Sequence, residues 1–184
     1  MINDIKIKFK NYKPYINGSK DMKKASVLIP IIKKDDSYFI LFQVRSSTLK
    51  TQPNEICFPG GKIEYNEKPI YTCVRETCEE LGVTIDNIEI ISELDLLITP
   101  SNMIIHPFLG ILKSIDNLNI NKDEVDHVFL VPITYLLKNK PITYTNEVSI
   151  IPSNDFPYEI IPNQTNYKFA KGNYDVLFYK YNVA

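Results

Sequence analysis

The sequence has no tryptophan, two histidines and three cysteines, and only two of its 21 basic residues are arginine. Cys57, Cys73 and Cys78 are odd in number and fit neither a disulfide framework nor a zinc-ligand spacing, and His106 and His127 stand alone. Cys57 and Cys78 are expected in the core. No run of 18 or more apolar residues is present, which excludes a hydrophobic membrane-spanning helix as an expectation. The opening MINDIKIKFKNYK interleaves charge where a secretory leader needs an apolar stretch. A net charge of -1 and a pI near 6.1, with basic residues spread along the chain, leave no electrostatic footprint for nucleic acid. The expectation is a soluble, cytoplasmic protein with no nucleic-acid or membrane partner, and with a homodimer left open.

What is there suffices for one core. A chain of 184 residues that is 44% hydrophobic supports one sizeable interior but hardly two, so residues 1–184 are expected to form a single domain. Its N-terminal segment, residues 1–24, fits both helical and alternating periodicity and is read as a helix. Strands are predicted at Ala25–Ile32, Tyr38–Arg45, near residues 88–98 and 103–112, at Val128–Val131, near Ile142–Ile150 and at Val176–Tyr181. A loop spans residues 46–57, and a short helix is predicted at Pro132–Lys138. Residues 151–173, rich in Pro, Asn and Tyr, read as an ordered but irregular excursion. The pattern is α+β around a mixed sheet.

The most informative segment is GKIEYNEKPIYTCVRETCEELGV, Gly61 to Val83. Pro69 is tolerated in a helix first turn and Gly82 is a natural stop, so residues 69–81 are predicted to be helical. At about 100° per residue, Ile70, Val74, Thr77, Cys78 and Leu81 fall on one side and Thr72, Glu76, Glu79 and Glu80 on the other. Glu76 lies three and four residues from Glu79 and Glu80, so like charges crowd together unless a cation neutralises them. Their hard oxygens select Mg²⁺ or Mn²⁺. The preceding Phe58-Pro59-Gly60-Gly61 lets the backbone turn tightly and bring a carbonyl toward such an ion.

Gly61, Glu67, Arg75, Glu76, Glu79, Glu80 and Gly82 together fill the seven fixed positions of a pattern that is similar to the signature of the Nudix hydrolases. Chance would produce such a match at on the order of 10⁻⁸ per starting position, so it is not background. Thr77 stands where the signature has a bulky aliphatic residue. The resemblance implies a Nudix fold, an α/β/α sandwich around a mixed sheet, with residues 58–83 as its signature loop and helix. It further implies that Glu76, Glu79, Glu80 and the Gly60 carbonyl hold the metal. Arg75 is implied to orient the glutamates through an ion pair with Glu67 or Glu79.

Upstream, LFQVRSSTLKTQPNEICFPGG resembles the extra motif of coenzyme A pyrophosphatases within that superfamily. Leu41, Arg45, Ser46, Phe58, Pro59, Gly60 and Gly61 match without a gap. Gln43, Lys50 and Asn54 replace Thr, Arg and Gly; lysine keeps the charge, and asparagine is the commonest non-glycine choice at positive φ. In so lysine-biased a chain both arginines, Arg45 and Arg75, fall inside the two motifs, where a planar, always-charged donor suits carboxylate or phosphate. The resemblance places Arg45, Ser46 and Lys50 near substrate phosphates and extends over about Ala25 to Leu137. Family members continue into a tryptophan-containing C-terminal helix, for which this sequence has no counterpart before Ala184.

Asp123, Glu124 and Asp126 precede the strand at Val128–Val131, and Glu124 is the candidate to reach the metal cluster from that loop. The expected catalytic set is therefore Arg75, Glu76 and Glu124, with Glu76 or Glu124 taking a proton from the attacking water. The implied reaction is metal-dependent hydrolysis of coenzyme A or acyl-CoA to 4′-phosphopantetheine and adenosine 3′,5′-bisphosphate. Two alternatives stay open on sequence: a Nudix hydrolase of ADP-ribose, NADH or nucleoside triphosphates, and a non-catalytic nucleotide sensor.

Overall fold

The computed structural model describes residues 1–182. Strand β1 (Lys23–Lys34) alternates, with Ser26, Leu28, Pro30 and Ile32 buried on one face, as a strand with one face on the core should. It runs parallel to β7 (Met103–Leu112), pairing Lys23 with Met103 through Ile31 with Ile111. Along its other edge β1 changes partner. Its first part meets β4 (Gly60–Lys62) and its last part meets β2 (Ser37–Arg45), both antiparallel. Pro30 falls between these two pairings, where its missing N–H interrupts neither.

The sheet is completed by β3 (Ile56–Cys57) and β8 (Val125–Pro132) on β2, and by β5 (Ile88–Glu93) and β6 (Leu97–Thr99) on β7. One parallel pair among antiparallel ones makes it mixed, and the fold is the expected α+β Nudix fold. The predicted single strand at residues 88–98 is two, because β5 and β6 separate around Leu94–Leu96, where the Leu94 N–H turns to the Pro107 carbonyl. Within the predicted loop 46–57, β3 is a two-residue strand too short to leave a periodic signal.

Helix α1 (Ile2–Phe9) forms in the N-terminal segment and buries no residue. Helix α2 occupies Pro69–Leu81 and lies against β1 and β4. Helix α3 (Ile133–Lys138) meets β2 and β8. Beneath α2, Cys73 and Leu81 pack with Leu28, Ile32, Leu41, Phe108 and Leu112 as the central cluster; burial of each large aliphatic side chain contributes about 1.5–3 kcal/mol. The core cysteine is therefore Cys73, fully buried with its thiol pushed up to about 12 by burial, whereas Cys57 and Cys78, expected inside, are only half-buried.

A separate two-stranded ribbon follows, β9 (Ile142–Ser149) against β10 (Lys171–Phe178). Residues 150–170 between them are irregular apart from short 3₁₀ turns at Tyr158–Ile160 and Gln164–Asn166. The predicted strand at Val176–Tyr181 in fact begins at Lys171, because the antiparallel ladder with β9 extends to the Lys171–Ser149 pair.

Gly82 ends α2 in the left-handed region, φ 67°, and its N–H returns to the Cys78 carbonyl at 2.9 Å. A Cβ there would also stand 2.2 Å from the Asn119 carbonyl oxygen. Gly82→Ala is accordingly expected to lose more than the roughly 1 kcal/mol typical of left-handed strain alone, about 2 kcal/mol or more by urea unfolding.

Candidate active site

The carboxylate arrangement starts from how α2 is packed. Its surroundings include both the sheet core and the β4 backbone, so the buried arc is wider than a simple amphipathic stripe. Thr72, placed among the exposed carboxylates by periodicity, is fully buried, and Glu80 is 4% exposed. Glu80 lies only about 60° round the helix from Thr77. There its Oε2 accepts the Gly60 N–H at 2.9 Å. Thr77, at the position where the signature has an aliphatic residue, satisfies its hydroxyl by donating to the Cys73 carbonyl at 2.7 Å.

The two glycines are required by close approach. A Cβ on Gly60, which has φ 150°, would sit 2.2 Å from the Ser26 carbonyl oxygen; one on Gly61 would sit 2.4–2.6 Å from the atoms of the Glu76 carboxylate. Glu76 is thereby laid directly against the signature loop. Arg75 gathers the neighbouring acids. Its Nε and Nη2 donate to the two Glu67 oxygens at 3.0 and 3.1 Å, and its Nη1 donates to Glu76 at 2.8 Å and Glu79 at 3.0 Å. The bidentate pair holds the Glu67 carboxyl at about 2, well below its usual range. Glu79 itself is exposed beside the arginine, whereas Glu80 is buried.

Glu124 joins the group through its backbone. The end of α2 fixes the following loop, with the Asn121 N–H on the Glu80 carbonyl and the Asn119 N–H on the Leu81 carbonyl. Glu124 and Val125 donate in turn to the Asn121 carbonyl, and the Ser46 N–H donates to the Glu124 carbonyl at 2.9 Å. The upstream motif and the acidic loop are thus hydrogen-bonded to each other. Burial is the main cause raising the carboxyls of Glu76 and Glu80, and the charge of Glu124 adds to it.

Arg45 is half-buried; its Nη2 reaches the Thr51 carbonyl at 3.3 Å while Nε is buried without a partner. Ser46 is buried and shares a hydrogen bond with Thr48. Lys50 is exposed and makes no ion pair among the described residues. Asn54 adopts φ 61°, the left-handed conformation expected where the resembling motif has glycine. Gln43, a departure from that motif, is fully buried beside Glu80. It carries an unpartnered Oε1, and such an orphan acceptor costs about 1–3 kcal/mol. Position 43 was visible in sequence as a mismatch, but its proximity to Glu80 follows from tertiary packing.

Burial raises the Glu80 carboxyl from 4.5 to about 7; the Gly60 N–H and the Gln43 amide ease it in part, and Glu76 and Glu124 push it higher. Burial also raises Glu76, against the pull of Arg75 and with Glu79 and Glu124 adding to the rise. Among the described residues no three His, Cys, Asp or Glu side chains form a ready-made metal cage. The donor chemistry nonetheless fits a hard divalent ion, since carboxylates that raise one another's pKa lack positive charge on the side away from Arg75. Gly60 and Gly61 keep the adjoining backbone free of side chains.

The NUDIX domain family model matches residues 22–150, and the chain belongs to the Nudix family. Mouse peroxisomal coenzyme A diphosphatase NUDT7 is 36% identical over 115 residues, covering 62% of this chain and 49% of the mouse protein. Nudix hydrolase 3 of Caenorhabditis elegans is 35% identical over 135 residues, 71% of this chain and 56% of that protein. Human mitochondrial coenzyme A diphosphatase NUDT8 is 31% identical over 126 residues, 66% and 53%. The chain spans about half the length of these curated relatives. A solved C. elegans Ap4A hydrolase binary complex superposes with a TM-score of 0.52 at 19% identity, over 63% of this chain and 84% of that one, a likeness of fold. No helix among the described residues is long and apolar enough to cross a membrane.

The raised carboxyls have a consequence for metal-free protein. The folded state retains the Glu80 proton to higher pH than the unfolded chain, so stability falls as pH rises from about 4.5 to about 7. At about 1.4 kcal/mol per pKa unit, Glu80 accounts for about 3 kcal/mol of that decline. Glu76 acts in the same direction. Glu67 contributes stability above about 4.5 that is lost only as pH falls toward about 2, so it is constant across the window. Urea unfolding of chelator-treated protein should show the decline, and Glu80→Gln should remove most of it.

Proposed function

We propose that the chain hydrolyses a diphosphate bond in a nucleotide-derived small molecule, with coenzyme A or acyl-CoA as substrate and 4′-phosphopantetheine and adenosine 3′,5′-bisphosphate as products. The observation that carries the reading is the junction of Ser46 and Glu124, which links the coenzyme-A-type motif directly to a loop electrostatically coupled to Glu76 and Glu80. The mouse and human relatives, named as coenzyme A diphosphatases, support the same substrate class.

Glu76, Glu79, Glu80 and the Gly60 carbonyl would hold Mg²⁺ or Mn²⁺, which supplies Lewis-acid stabilisation of phosphate oxygens and a more acidic water. Arg75, by gripping Glu67, Glu76 and Glu79 at once, keeps the acidic side of α2 in one arrangement. Glu124 is exposed and free of arginine, and it takes the proton from the water that attacks phosphorus. As the new P–O bond forms, the bridging P–O bond breaks, and its electron pair leaves with the second phosphate. Arg45 and Lys50 bind the substrate's phosphates, and Ser46 fixes the turn that presents them.

Chromatography with mass spectrometry should detect adenosine 3′,5′-bisphosphate after incubation with coenzyme A and Mg²⁺ or Mn²⁺, and Glu80→Gln should reduce its formation by at least about 100-fold. Arg45→Met and Lys50→Met should lower kcat/KM for coenzyme A more than for ADP-ribose, NADH or nucleoside triphosphates. Preferential cleavage of one of those compounds would overturn the substrate assignment, and absence of all turnover would overturn the enzymatic reading.

A further inference from the structure

The net charge of -1 conceals a division along the chain. Residues 1–24 carry seven lysines against two aspartates, a side-chain charge of +5, whereas residues 25–184 carry 14 basic residues against 20 acidic ones, a charge of -6. The same basic segment holds apolar surface that the fold leaves uncovered. Helix α1 buries no residue, and Ile2, Ile5, Phe9, Tyr12 and Tyr15 are each 48–62% exposed. On the helix, Ile2, Ile5 and Phe9 fall within about 60° of one another. Lys6 and Lys8 flank this stripe on either side, while Asn3, Asp4 and Ile7 lie behind it. Past the helix end the stripe continues as aromatic rings, with centroids 5.5 Å apart for Phe9 and Tyr12 and 6.3 Å for Tyr12 and Tyr15. Lys8 and Lys20 reach over the Phe9 and Tyr15 rings, each ammonium 6.0 Å from the ring centre, so apolar stems and rings share one surface with charged heads at its rim.

An eight-residue helix does not persist in water on propensity alone and needs its apolar face packed; no side chain of α1 is buried against the domain. We propose that residues 1–24 dock on the surface of an anionic lipid bilayer. Ile2, Ile5, Phe9, Tyr12 and Tyr15 enter the boundary between headgroups and acyl chains, and Lys6, Lys8, Lys10 and Lys13 lie on the phosphate and carboxylate headgroups. Charge complementarity selects this occupant. The acidic remainder of the chain is repelled by the same surface, so the basic segment alone faces it. Nucleic acid would use the lysines but leave the apolar stripe uncovered. A groove on another protein takes anchors at helical spacing, which Tyr12 and Tyr15, beyond the helix, do not supply, and a second copy of the segment would bring like charges together. The proposal departs from the expectation of no membrane partner, which rested on the charge of the whole chain, and it is independent of the catalytic reading.

The test is flotation of the full chain with vesicles of phosphatidylcholine alone or of an equimolar mixture with phosphatidylserine. Affinity for the mixed vesicles is expected to exceed that for phosphatidylcholine by about 100-fold. Raising salt from about 0.1 M to about 1 M, which shortens the screening length from about 10 Å to about 3 Å, should weaken binding at least about 10-fold. Lys6→Gln, Lys8→Gln and Lys10→Gln together should weaken it about 100-fold, at about fivefold per lysine, and Phe9→Ser about 10-fold or more. These side chains are exposed, so the unfolding temperature of each variant should stay at the wild-type value. Phe9→Trp places a single tryptophan in the chain, and its emission should shift to the blue when the mixed vesicles are added. Failure of the wild type to float with the mixed vesicles, equal affinity for both compositions, or an emission that the vesicles leave unmoved would overturn the proposal. Self-association of the wild type that Phe9→Ser abolishes, in the absence of vesicle binding, would also overturn it and assign the stripe to a second copy of the chain.

Discussion

Glu80 is an acid built into the interior, and much of the local architecture is arranged around keeping it there. Its carboxyl rests on the Gly60 N–H, its own backbone carbonyl accepts the Asn121 N–H, and the loop fixed by that second bond carries Glu124 back toward the same place. Side chain and main chain of one residue therefore join the signature loop, the end of α2 and the acidic loop. The cost is electrostatic. Burial holds the carboxyl protonated far above its usual range, and Glu76 and Glu124 aggravate this. In the proposed reading a divalent cation would offset the desolvation and the repulsion together.

Arg75 solves the complementary problem on the outer side. Glu67, Glu76 and Glu79 share its guanidinium, so the negative charge of the helix divides into a portion neutralised by protein and a portion, centred on Glu80, that is not. A lysine could supply the charge but not the planar fork that grips both Glu67 oxygens while Nη1 serves Glu76 and Glu79. The scarcity of arginine elsewhere in the chain makes its use at this point informative about geometry.

The helical segment was readable to the residue, because proline at its start and glycine at its end act locally and independently of the rest of the fold. The left-handed Asn54 was readable for the same reason. Which cysteine is central was not: periodicity favoured Cys78, but the neighbouring sheet covers Cys73. Thr72 and Glu80 were misplaced by the same assumption, that one face packs and the other is wet. Here β4 supplies a second wall to α2, and a helical wheel carries no information about it. Gln43 illustrates the limit from the opposite direction, since its mismatch to a motif was plain while its complete burial follows from tertiary packing. The strands of the β9–β10 ribbon were legible singly, whereas their pairing across an irregular excursion of some twenty residues is long-range and left no local mark.

The most direct measurement is a carboxyl ¹³C NMR titration of Glu80, first in metal-free protein and then with saturating Mg²⁺. The account predicts a midpoint near 7 without metal, and its displacement to below the ordinary glutamate range of about 4.3 once the ion is bound. A metal-free midpoint at the ordinary value, or a midpoint near 7 that Mg²⁺ leaves in place, would contradict the claim that this buried acid is there to receive a cation.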